Sequence, residues 1–226
     1  MRPVSSADTE TTEIEVATDP AREAVLAELS SRLGDGVVGS HIRAGDDLWV
    51  RVHRDRWLDT AQAARAMGYR FFDFLSAIDW LPSPFGRDMD AQEDLVVDPP
   101  APKDPVPMTS GYAGGDTRFQ VLARLYSVTH GMGVTFKADL PDDDLSIATW
   151  SGVFAGADWH EREAGEMFGI TFVGHPNPVN IYLPTDFVGH PLRKDFPLLA
   201  RRVRPWPGIV DVEPLPGGAA DEEEES

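Results

Sequence analysis

Sixteen of the chain's 19 prolines fall in two stretches, seven between Leu81 and Pro107 and nine between Pro176 and Pro216. Proline brings no N–H to a helix or sheet ladder, and its ring clashes with the preceding helical turn. Neither stretch can therefore be a helix interior or a central strand. The second stretch still carries Phe, Leu, Ile, Tyr and Val through Ile170–Trp206. An apolar, proline-stiffened segment has two ways to bury such side chains: it wraps its own domain or it lies along another protein.

Charge marks the same divisions. Of the net charge of -18, residues 1–19, 80–116 and 205–226 carry -16, which leaves a nearly neutral remainder. Segments so acidic bury too little apolar surface to offset their ordering entropy. The expected organisation is a disordered acidic N-terminus (1–19) and an α+β domain (20–169) interrupted by a Pro-rich acidic insertion (80–116). An extended docking arm (170–207) and an acidic disordered tail (208–226) follow. Nucleic-acid binding is disfavoured, because phosphate neutralisation needs a basic stripe and only Arg193, Lys194, Arg201, Arg202 and Arg204 offer one. The chain has no cysteine, which removes disulfides, thiolate-held iron–sulfur clusters and most structural zinc sites. Residues 1–19 lack a basic segment followed by an apolar run, and no stretch approaches ~18 uninterrupted apolar residues, so neither a secretory signal nor a membrane span is expected.

Within the domain, Asp19-Pro20 predicts a helix start, Val25, Leu26, Leu29 and Leu33 repeat at helical spacing, and Gly34 closes the helix. Val37–Arg43 and Leu48–His53 read as a hairpin. Trp57, Leu58, Ala61, Ala64 and Met67 form a second helical stripe ending at Gly68. Arg70–Ile78, Phe119–Val128 and Val134–Leu140 read as strands. This order predicts a two-layer α+β architecture, with a mainly antiparallel sheet, helices on one face and the long extended arm behind it. A last helix is expected from Asp158, with Glu161 completing a capping box and Gly169 ending it.

Four motifs bear on function. Gly34–Gly39 is a literal G-x-G-x-x-G, but a helix precedes it and a strand follows, the reverse of a nucleotide loop. His160-Glu161 lacks a second histidine one turn on, where Ala164 stands; His160 and Glu163 share a face, but two ligands do not make a metal site. Arg162 and Glu166 have i,i+4 ion-pair spacing. Phe-Val-Gly-His-Pro occurs at 172–176 and again at 187–191, either as a pair of similar turns or as paired imidazole ligands. No nucleophile–base pattern is present.

Residues 158–198 resemble the signature of the C subunit of respiratory complex I, the proton-translocating NADH–quinone oxidoreductase. The resemblance rests on Glu161-Arg162-Glu163, Glu166-Met167-Phe168-Gly169, His175-Pro176 and the unbroken run Gly189-His190-Pro191-Leu192-Arg193-Lys194-Asp195-Phe196-Pro197. The stretches FFDFLSAID, RFQVLARLYSV and GVTFKADLP are also similar to strands of that family. Gly165, Val179 and Pro184-Thr185-Asp186 depart from its usual residues.

The resemblance implies a non-catalytic subunit of the peripheral arm that scaffolds the quinone-reducing module. That module passes electrons from NADH through FMN and iron–sulfur clusters to quinone, coupled to proton translocation. It implies no catalytic, cofactor or metal residues on this chain, with FMN, clusters and quinone held by other subunits. The implied partners are the D subunit first, then the B and I subunits, on the cytoplasmic side of the cell membrane. Under it, the motif residues form an interface and an ion network that seats the arm, with Arg193 as anchor. Two other readings stand beside it: the equivalent scaffold of a membrane-bound hydrogenase or another quinone reductase, and a stand-alone hydrolase using His160, Glu163, His175 and His190.

Overall fold

The computed structural model describes residues 19–82 and 106–196. The expectations for the acidic ends, the centre of the insertion and the arm beyond Phe196 lie outside the described residues.

Helix α1 (Pro20–Leu33) begins as its sequence dictates. The Asp19 carboxylate accepts the Arg22 backbone N–H at 3.1 Å, Pro20 occupies the first turn, and Val25, Leu29 and Leu33 point inward. Strands β1 (Val37–His41) and β2 (Leu48–Val52) form an antiparallel hairpin with an irregularity between Val37 and Gly39. Helix α2 (Trp57–Ala66) buries Trp57, Ala61 and Ala64. Strands β3 (Phe71–Asp79), β4 (Phe119–Ser127) and β5 (Met132–Leu140) complete a five-stranded sheet ordered β1-β2-β5-β4-β3. All neighbours are antiparallel except β2 and β5, which run parallel from Leu48↔Val134 to Val52↔Ala138. A second, two-stranded parallel sheet joins β6 (Ser146–Ala148) to β7 (Thr171–Val173) across helix α3 (Ala157–Phe168). The α+β class with a mainly antiparallel sheet holds.

One sheet face is apolar: Leu48, Val50 and Val52 of β2, Val121, Ala123 and Leu125 of β4, and Val134, Phe136 and Ala138 of β5 are buried beneath the helices. Each large side chain there contributes roughly 1.5–3 kcal/mol by leaving water. Trp150, between β6 and α3, stacks on Trp57 at 4.4 Å and donates its indole N–H to the Trp57 carbonyl at 2.9 Å. The opposite face is polar yet largely covered. Arg51 binds Asp116 and Asp139, and Arg124 binds Asp47 and Asp73. The Tyr112 ring stacks on His41 at 4.6 Å, so the returning end of the insertion lies over this face.

Three expectations are corrected. Helix α3 starts at Ala157 with Gly156 as its N-cap, and no capping box forms between Asp158 and Glu161. Glu161 reaches instead the Trp150 N–H, because the turn after β6 is packed against it. Arg162 and Glu166 make no ion pair with each other; each engages the main chain of the arm. Met132 and Gly133, just ahead of the strand expected at Val134–Leu140, belong to β5.

Candidate functional site

The motif residues between Glu161 and Phe196 converge on α3. The helix ends at Gly169, which takes a left-handed conformation (φ 76°) and donates its N–H to the Gly165 carbonyl. A Cβ at this position would stand 2.5 Å from the Arg193 guanidinium and 2.6 Å from the His190 ring, so the close approach requires glycine.

That approach answers the need of the helix end for partners for its last carbonyls. The His190 Nδ1–H donates to Glu166 O at 2.8 Å, the Leu192 N–H to Met167 O at 3.2 Å, and Arg193 Nε–H to Phe168 O at 2.7 Å. The cation also sits where the helix dipole favours positive charge. Burial lowers the Arg193 pKa, with the neighbouring Arg118 charge adding to the effect. Arg193, expected as the anchor of the interface, thus spends Nε on its own helix and lies over the Phe119 ring at 5.2 Å.

The next two residues tie the arm to the sheet. The Lys194 N–H donates to Asp79 Oδ2 at 2.8 Å, and Arg118 bridges Asp79 at 2.7 Å and Asp195 at 2.9 Å. Burial would raise the Asp79 pKa, but hydrogen bonds from Arg118, Lys194 and Leu81 outweigh it and hold the carboxyl below its ordinary value. Phe196 packs 6.0 Å from Phe187, over Gly189 (φ 103°). Sequence reasoning did not single out Asp79 and Arg118. The available signal was the acid closing the strand FFDFLSAID after the apolar Ala77-Ile78, which when buried must find a cation.

Further up the helix, Arg162 Nε–H donates to Val179 O at 2.7 Å. The Glu166 carboxylate accepts the N–H groups of Ile181, Tyr182 and Leu183 at 3.0–3.3 Å. One cation takes the carbonyl side of the extended arm and one anion takes its amide side. Glu161 takes no hydrogen bond from the arm, and His175 Nε2 stands 4.0 Å from its Oε2. Fully buried, it accepts from Trp150 N at 2.5 Å and from the Thr149 hydroxyl, and burial pushes its pKa up to about 7. Glu163, one residue before Ala164, is half-buried on the same helix.

The duplicated pentapeptide makes two similar turns, with Gly174 (φ 87°) and Gly189 (φ 103°) both left-handed. They hook opposite ends of α3: His175 Nε2–H donates to Asp158 O at 3.1 Å, while His190 takes Glu166 O. Asn177 N–H donates to His175 Nδ1 at 3.0 Å, which fixes that ring as the neutral Nε2–H tautomer. The turn reading of the repeat thus prevails over paired metal ligands. His160 faces the other way, donating Nδ1–H to Leu75 O and packing edge-on to Phe72. The four residues of the hydrolase reading are therefore not brought together. Among the described residues no three His, Asp or Glu side chains are placed to hold a metal. Pro176 and Pro191 each follow the hooking histidine and hold it extended.

Between α3, β7 and the arm lies a cavity of about 390 Å³ lined by Glu161, Glu166, Phe172, His175, Leu183 and His190 among others. On the outer side of the arm Val179, Tyr182, Phe187, Val188 and Leu192 are exposed, and Trp159 of α3 is exposed too. Among the described residues no helix is long and apolar enough to cross a membrane. Gly34–Gly39 ends α1 and opens β1, so no helix N-terminus stands there to receive a phosphate.

Residues 50–202 match the family described as the respiratory-chain NADH dehydrogenase 30 kDa subunit. The C subunit of the NADH-quinone oxidoreductase of Mycolicibacterium gilvum is 32% identical over 181 residues, 77% of this chain and 66% of that one. The chain thus spans just under two thirds of that relative's length. The C/D subunit of the NADH-quinone oxidoreductase of Cronobacter sakazakii is 43% identical over 88 residues, 39% of this chain and 15% of that one. Among solved structures, a chain of the membrane-bound sulfane sulfur reductase, an archaeal respiratory membrane complex, shares the fold. It has a TM-score of 0.52 at 18% identity, over 78% of this chain and 86% of that one.

Proposed function

We propose that this chain, which belongs to the family of the 30 kDa subunit of respiratory-chain NADH dehydrogenase, is a non-catalytic scaffold subunit of an NADH–quinone oxidoreductase. In this reading it packs in the peripheral arm beside the D subunit, with the B and I subunits nearby, and braces the module that reduces quinone. It reaches the cytoplasmic face of the membrane through those partners. Its cysteine-free sequence offers no thiolates for a cluster, and in this reading the FMN, iron–sulfur clusters and quinone of such an enzyme sit on other subunits.

One observation carries the proposal. The arm's inner side is saturated by its own helix, through Arg162, Glu166, His175, His190 and Arg193, while its outer side exposes a row of large apolar residues. Tyr182 is 64% exposed and Val188 78%. A segment fixed in place with its apolar edge outward loses little ordering entropy on binding and has surface to bury. The relative whose name joins C and D in one chain supports the D subunit as the adjacent partner. Aspartate at Tyr182 and Val188 tests this. Both side chains point outward, so the isolated double variant keeps its circular dichroism and melting temperature. Assembled complex recovered with the D subunit falls at least tenfold; recovery at the level of the unsubstituted chain would refute the docking role.

A further inference from the structure

The partly buried arginines of this fold come with an anion. Arg22, Arg51, Arg54, Arg118, Arg124 and Arg162 each have a carboxylate within 4.0 Å. Arg193, partly buried as well, forms no ion pair among the described residues. The acids that feel its charge, Asp79 and Asp195, are both held by Arg118. Arg118 is itself a second cation at the same place, since the two guanidinium carbons lie 4.6 and 5.2 Å from the centre of the Phe119 ring. Burial first, and the Arg118 charge second, lower the Arg193 pKa, as befits a cation without compensation. Its Nε–H is given to Phe168 O. Nη1 and Nη2 hold no hydrogen bond among the described residues, and neither is closed off from solvent.

The position of the guanidinium names what would neutralise it. Leu192, the residue before it, is 50% exposed and belongs to the outward apolar row that also carries Phe187 and Val188. A protein covering that row strips water from Arg193, and a cation that loses water beside a second cation must gain an anion. Two free Nη donors match the two oxygens of one carboxylate. We infer that the protein docking on the arm places one aspartate or glutamate side chain on the Nη edge of Arg193. This rests on the docking role proposed above. The guanidinium then has two tasks: Nε closes α3, while Nη1 and Nη2 receive the partner.

A zero-length cross-link tests this. Arg193→Lys keeps the charge and replaces the unreactive guanidinium by an amine, which a water-soluble carbodiimide joins to a carboxylate in contact with it. The full-length variant is assembled with the D subunit, treated and mapped by mass spectrometry, with the unsubstituted chain as the control for Lys194. The expected product links residue 193 to one aspartate or glutamate of the D subunit and is absent from the control. No link at residue 193, or a link only to an acid of this chain, overturns the ion pair. If Arg193→Lys does not assemble, nuclear magnetic resonance of the unsubstituted chain, labelled with 15N-arginine, decides. Adding the D subunit should resolve separate, slowly exchanging Nη–H signals for Arg193, assigned by their loss in the isolated variant; signals that stay averaged overturn the pair. Failure of the docking role would show separately, as the outward-facing aspartate variant assembling normally with the D subunit. A missing cross-link while that variant still fails to assemble would remove the ion pair and leave the docking role standing.

Discussion

The sheet core and the clasp around α3 are built on opposite principles. In the core, Leu48, Val50, Val121, Ala123, Val134 and Phe136 hold one another by excluding water, and any apolar neighbour of the right volume would serve. In the clasp, single polar side chains hold named main-chain atoms: Arg162 takes a carbonyl, Glu166 takes three amides, and His190 and Arg193 close the helix. The core tolerates exchange and fails gradually. The clasp specifies the path of an extended chain that has little hydrophobic driving force of its own, and each of its contacts has no substitute.

The contrast can be broken from either side. Trp150→Ala removes the ring stacked on Trp57 and should cost about 4 kcal/mol of global stability in chemical denaturation, with the arm and the core unfolding together. Arg118→Ala leaves the buried Asp79 carboxylate without its cation and should cost about 3 kcal/mol. In that variant amide exchange accelerates first at Lys194 and Asp195, ahead of the sheet.

A pH titration comes next in size. The Glu161 pKa is raised from 4.5 to about 7 in the folded chain. Its contribution is therefore fully present below about pH 4.5 and is lost as pH rises through 7, on the order of 2–3 kcal/mol. Glu161→Gln keeps an acceptor for the Trp150 N–H and turns a donor toward the Thr149 hydroxyl, and should flatten the stability profile over that interval. The smallest effect is Glu166→Gln, which weakens the hold on Ile181–Leu183 by about 1–2 kcal/mol. Exchange at those three amides should quicken roughly tenfold while the midpoint of global unfolding stays put; a global loss equal to that of Trp150→Ala would erase the distinction between the two regions.

The difference between the regions also explains what could be read in advance. Helix α1 is legible from end to end, because Asp19, Pro20, the Val25/Leu29/Leu33 stripe and Gly34 all act within a few residues of one another. The turn nature of the repeated pentapeptide is legible for the same reason. Lys137 is not: it alternates with apolar residues as a solvent-facing position would, yet it is buried. Trp80, just past β3, and Gln120 of β4 close over it, and burial lowers its pKa to about 8. Glu166 misleads by a different route. Its spacing from Arg162 suits an ion pair worth a few tenths of a kcal/mol, but the arm, fifteen residues on, offers three amides to one carboxylate. Glu161 likewise finds Trp150 rather than its own helix end. Local spacing cannot report a partner that only the tertiary fold delivers, and most of this site consists of such partners.

The pairing of Asp79 with Phe119, extended one step by the Trp80 N–H to Arg118 O bond of 2.9 Å, has a consequence for the family's sequence history. Strands β3 and β4 are neighbours, and the chain leaves one and re-enters the other at directly facing positions. Whatever is spliced between them leaves the sheet's register untouched, and each doubling of its length adds only about 0.6 kcal/mol to closing the loop. This edge is where such a protein can lengthen or shorten freely from lineage to lineage.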